Sequence, residues 1–133
     1  MEKYEVTILN FDTKSESNFI IEVDEAETTD DIIFHAVISG QEVSSVNYGY
    51  FSAYQQFRDK LLSLGYGIKC DGSRINAVQS GMMGSTDKIY LVESGKQALM
   101  KDIKSIFDYA DINEFPDTQE QNIFFNEWCN SLH

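Results

Sequence analysis

Cysteine and histidine are almost missing from this chain of 133 residues: Cys70, Cys129, His35 and His133 are all it has. None stands at C-x-x-C, H-x-x-x-H or H-E-x-x-H spacing, so the familiar zinc sites are excluded and no metal is expected. Two cysteines in a chain long enough to build its own core are expected as reduced thiols, not as a disulfide framework. Cations are scarce as well, ten Lys and Arg against 22 Asp and Glu, a net charge of −12. Such a field repels nucleic acid and anionic membranes, which carry the same sign, and attracts basic partners. No apolar run approaches the roughly 20 residues that cross a bilayer. The start, Met1-Glu2-Lys3-Tyr4-Glu5, has neither the basic nor the apolar part of a secretory signal, so a cytoplasmic protein is expected. Repeats, low-complexity tracts and linkers are absent too, which leaves one domain over 1–133.

What is present is globular in character, with 42% hydrophobic residues and 17 aromatics. Tyr4, Val6 and Ile8 alternate with Glu5, Thr7 and Leu9, and Phe19, Ile21 and Val23 with Ile20 and Glu22; with the polar stretch Asp12–Asn18 between them they predict a hairpin. Thr28 or Thr29 fits the cap of a helix with Asp30 and Asp31 in its first turn, Ile32, Ile33, Ala36 and Val37 as its stripe, and Gly40 as its stop. The β-branched content of Ile32–Ile38 supports a strand almost equally.

The clearest helix runs from Tyr50 to Leu64. Tyr50, Tyr54, Phe57, Leu61 and Leu64 make its apolar stripe, and Gln55, Gln56, Arg58, Asp59 and Lys60 fill the other side. Strands are expected at Tyr66–Lys69 and Lys88–Val92, with a short one near Ile75–Val78. Ile103, Ile106, Phe107 and Ala110 predict a helix over 101–110. After Pro116, a last helix starts at Asp117 or Thr118 and carries Ile123, Phe124, Trp128 and Leu132. Its aromatics are expected to complete the core. Short connections between strands, with helices inserted and appended, give an α+β fold: a mainly antiparallel sheet, helices on one face and a C-terminal helix.

Catalytic constellations are sparse. A Cys70–His35 nucleophile pair has Lys69 and Arg74 near in sequence, but a packed thiol is the plainer reading. Gly81-Met82-Met83-Gly84-Ser85-Thr86 offers backbone N–H groups to an anion, yet it lacks P-loop spacing and sits in an acidic chain. No cofactor is expected. The acids are the unusual feature, because they are not spread evenly. Residues 1–31 hold ten against Lys3 and Lys14, residues 32–86 are nearly neutral, and 107–133 hold six with no Lys or Arg. No calcium-loop pattern is present among them.

One stretch resembles a known group. Leu61-Leu62-Ser63-Leu64-Gly65-Tyr66, Ile68-Lys69-Cys70-Asp71-Gly72-Ser73-Arg74-Ile75-Asn76-Ala77-Val78 and Ser80-Gly81-Met82 are similar to a segment of small bacterial proteins that include immunity proteins of toxin–immunity systems. The similarity covers residues 61–82 and carries no catalytic signature. It implies a bacterial cytoplasmic protein with no catalytic residues to carry over.

Charge and resemblance together give the expected function: an acidic, non-enzymatic binding protein that covers the active site of a basic toxin enzyme, most simply a nuclease. Candidate contacts are Asp24, Glu25, Glu27, Asp30 and Asp31 in the first arm. In the second they are Asp108, Asp111, Glu114, Asp117 and Glu120. The alternatives are a structural or adaptor domain whose charge serves solubility, and a small-molecule enzyme using Cys70.

Overall fold

A computed structural model describes residues 1–133. The expected hairpin is present: β1 (Glu2–Asn10) and β2 (Glu16–Glu25) pair antiparallel, with Tyr4 opposite Ile21 and Val6 opposite Phe19. Asn10 builds the connection, its side-chain oxygen accepting from the N–H groups of Asp12 and Thr13.

The next segment resolves as strand. β3 (Asp31–Ile38) and β4 (Gln41–Tyr48) form a second hairpin, with Ile38 opposite Gln41. Its two-residue turn, Ser39-Gly40, has positive φ at both positions, which suits the right-handed twist of the flanking strands. Gly40 is thus a hairpin residue, not a helix stop. The period-2 burial of Ile32, Phe34, Ala36 and Ile38 outweighs the cap signal of Thr28–Asp31.

β5 (Tyr66–Ile68) completes a five-stranded sheet in the order β4-β3-β2-β1-β5. A smaller antiparallel sheet follows, β6 (Ala77–Val78), β7 (Lys88–Leu91) and β8 (Ile103–Ser105), in that order. The chain is α+β with every strand pair antiparallel. No helix forms over 101–110. Ile106, Phe107 and Ala110 are buried there, but their backbone bonds go across the chain: Gly72 N–H to Ile106 O, Asp71 N–H to Asp108 O, and Ala110 N–H to Lys69 O. Long-range partners take the place of helical ones.

α1 (Tyr50–Ser63) lies on the inner face of the large sheet. Phe34 is the hub of the core, its ring within about 6.4 Å of those of Tyr50, Tyr54, Phe57 and Phe107. The opposite side of α1 is only partly solvent-facing: Lys60 is exposed, whereas Gln55 and Arg58 are buried beneath α2 (Thr118–Ser131). α2 begins with a capping box between Asp117 and Glu120. Contrary to expectation, its aromatics do not fill the core: Phe124 and Trp128 are half-buried, and Gln121 is its one buried residue. No helix is long and apolar enough to cross a membrane.

Candidate functional site: an acidic cleft at the start of helix α1

The two acidic arms lie apart. Glu25 ends β2, whereas Glu16 begins it and shares Lys69 with Asp111 of the second arm. Nine residues of extended strand, roughly 30 Å, separate those two positions.

The arms also differ in what their carboxylates do. In the second arm Asp108 accepts from Ser105 N–H, and Asp111 takes the Lys69 ammonium at 3.0 Å. Asp117 and Glu120 are spent on the helix cap. Of these five candidate contacts Glu114 alone has no partner within the chain, and it lines a groove together with Asp111, Glu120 and Arg74. Arg74 is itself paired with Asp71 at 2.8 Å. In the first arm Asp24 pairs with the N-terminal ammonium at 3.5 Å. Glu25, Glu27, Asp30 and Asp31 have no side-chain partner, and all but the half-buried Asp31 are exposed. Four carboxylates therefore remain free at one end of the sheet.

That end is shaped by the start of α1. Gly49 caps the helix at φ 88°, and a Cβ there would meet Gly84 O at 3.3 Å, so the position calls for glycine. Tyr50 N–H donates to Gly84 O at 2.8 Å, and Phe51 N–H to the Gln79 side chain. The glycine loop thus caps α1 with its own oxygens. Three of its N–H groups are engaged by its own backbone, Met83 to Ser80, Gly84 to Gly81 and Thr86 to Met83. It forms one wall of a cleft of about 360 Å³ whose other wall is the β2–β3 turn. Glu25 and Asp30 face this cleft, with Tyr48 and Met82 at its mouth. Tyr48 is 74% exposed and Met82 96%, unusual for side chains so apolar.

The field there is negative throughout. Glu2 accepts from Tyr4 Oη at 2.6 Å and Tyr50 Oη at 2.8 Å, and these bonds hold its carboxyl below the ordinary range. Burial raises the Tyr50 phenol first, the Glu2 bond second, and the charges of Glu2, Glu25 and Asp87 add to it.

Cys70 and His35 do not meet. Cys70 is fully buried with Tyr54 Oη 3.1 Å and Ser73 Oγ 3.8 Å from its sulfur, and burial pushes its thiol upward. His35 sits on the opposite face of the sheet beside Glu42, 3.8 Å away. The stretch 61–82 spans the end of α1, β5, the buried turn Asp71–Ser73, β6 and the start of the glycine loop. Sequence reasoning missed Tyr48 and Met82 as surface residues. The signal available was a Met pair inside a glycine-rich loop, where no apolar periodicity draws it into a core. Among known proteins, the chain matches no protein-family model and no curated sequence.

Proposed function

We propose that the protein binds a basic protein partner through the acidic cleft at the β2–β3 turn and thereby covers the partner's active site. One observation carries this reading: Glu25 and Asp30 line a cleft with exposed Tyr48 and Met82, and they and their chain neighbours Glu27 and Asp31 are unpaired within the chain. Free carboxylates steer a cationic partner and set its orientation, while an aromatic or thioether side chain that becomes buried slows its release. A nuclease of a bacterial toxin system fits such a surface, because its site is positive in order to grip phosphates. The role is then that of an immunity protein, a reading that also draws on the likeness of residues 61–82 to that group. No catalytic step is assigned to Cys70, which the core encloses.

The test is capture of the partner on immobilised protein from cells of the native source, with co-expression scored for rescue of growth. The quadruple variant Glu25→Gln, Glu27→Gln, Asp30→Asn, Asp31→Asn is expected to slow association by about tenfold or more at low salt. The second-arm variant Glu114→Gln is expected to match wild type. Capture that survives high salt unchanged, or that both variants weaken equally, would count against the cleft.

A further inference from the structure

A second cavity, about 270 Å³, adjoins the acidic cleft. The two share Tyr48, Gly49, Gly81 and Gly84, so they form one continuous groove. Its chemistry changes along its length. Glu25 and Asp30 line one end, and Phe51, Ala77, Val78 and Phe125 line the other. The same second cavity is also lined by Ser52, Ser80 and Asn122, hydroxyl and amide groups that make no side-chain hydrogen bond within the chain. Phe125 projects from α2 and is 38% exposed, although α2 packs its neighbour Gln121 completely.

We infer that this groove takes an extended segment of the partner that carries Lys or Arg at one end and an apolar side chain at the other. The carboxylates supply charge complementarity for the cation. The apolar end desolvates an anchoring side chain, and the free hydroxyl and amide groups beside it suit a polypeptide backbone, which presents an N–H and a C=O at each residue. Residues 107–133, which include the adjoining α2, contain no Lys or Arg, and a second copy would bring the same net charge of −12, so a basic partner fits better than either. The inference rests on the basic-partner reading and adds to it which segment is recognised and how.

Synthetic hexapeptides test it: Lys-Arg-Gly-Ser-Leu-Phe and its reversed order, the same peptides with Glu-Glu for Lys-Arg, and the same with Gly-Ser for Leu-Phe. Each is titrated into isotope-labelled protein and followed by amide chemical shifts. The better of the two Lys-Arg/Leu-Phe orders is expected to shift residues 25–32, 48–52, 78–85 and 121–125. Loss of either end is expected to weaken binding by about tenfold. Phe125→Ser, at an exposed position, should erase the preference for Leu-Phe and leave the preference for Lys-Arg. A basic peptide that binds in a salt-sensitive way, but shifts only the outer sheet face around Ile20, Val37 and Val46, overturns the groove and leaves the basic-partner reading standing. Equal binding of the Lys-Arg and Glu-Glu peptides overturns both. Absence of shifts with every peptide at millimolar concentration overturns the groove.

Discussion

Arg58 on α1 donates from Nη2 to Gln121 Oε1 on α2 at 2.7 Å, across 63 residues of sequence, and both side chains are buried, at 1% and 2% exposure. The same amide oxygen accepts from Gln55 at 3.0 Å, and the amide nitrogen donates to the carbonyls of Gly72 and Arg74. Asp59 completes the arrangement by taking Arg58 Nε at 2.9 Å and the Thr118 N–H at 3.1 Å. One glutamine thus ties α2 to α1 and to the buried turn after β5.

Replacing that glutamine by a residue of similar size, Gln121→Leu, takes the closest acceptor from Arg58 Nη2 and leaves the guanidinium with Asp59 and Thr118. Nη1 of Arg58 already lacks a partner, so little reserve remains. The expected cost is roughly 2–4 kcal/mol, because Arg58 Nη2, the Gln55 amide and the carbonyls of Gly72 and Arg74 each lose a buried partner. Hydrogen exchange should show protection lost over 118–131 before it is lost in α1; uniform loss would mean that α2 is held by something else.

The two cysteines should separate cleanly under a thiol-alkylating reagent. Cys129 is half-buried and is expected to label in the native state, whereas Cys70 labels only as the protein unfolds. Tyr54→Phe removes the hydroxyl that lies 2.5 Å from Ser73 Oγ and 3.1 Å from the Cys70 sulfur, at an expected cost of about 1 kcal/mol by urea denaturation. Native-state labelling of Cys70 as fast as that of Cys129 would contradict its burial.

Gly72 and Gly81 offer a paired test of packing. A Cβ at Gly72 would sit 2.6 Å from Ile106 Cγ2 and 3.1 Å from Tyr54 Cε2, both in the core, whereas at Gly81 it would meet nothing within 4 Å. Gly72→Ala is expected to cost about 1–3 kcal/mol. Gly81→Ala should stay within about 0.5 kcal/mol of wild type in thermal melts.

Glu2 should leave a mark on acid stability. Hydrogen bonds from Tyr4 and Tyr50 hold its folded carboxyl below the ordinary value of 4.5, so the unfolded chain binds the proton more readily. Its contribution is complete near neutrality and fades as pH falls below about 4.5 through the depressed folded value. Glu2→Gln is expected to lose about 1 kcal/mol at pH 7, a figure kept small by the exposure of this carboxylate. The difference from wild type should shrink toward zero in denaturation curves taken at falling pH.

Several elements were legible in the chain because local pattern and final burial agree. The alternation of Tyr4, Val6 and Ile8 with that of Phe19, Ile21 and Val23 gives the first hairpin. The stripe from Tyr50 to Leu61 gives α1, and the Asp117–Glu120 box marks the start of α2. Where two local signals compete, the outcome depends on a distant partner. Thr28–Asp31 resembles a helix start, yet β4 supplies a strand for Ile32–Ile38 to pair with. Ile103–Ala110 has helical spacing, yet its backbone groups find acceptors and donors at Lys69, Asp71 and Gly72.

For the site, composition alone determined its sign: a chain with 22 acids and ten bases presents a negative surface however it folds. Which acids remain free was a matter of tertiary structure. Asp111 and Glu25 are both carboxylates of an acidic arm in the sequence; Lys69, just after β5, reaches the first, and no cation reaches the second. An ion pair depends on distance in space, which pairing of strands far apart in sequence sets, so the fold, not the composition, separated the carboxylates that hold the protein together from those left facing outward.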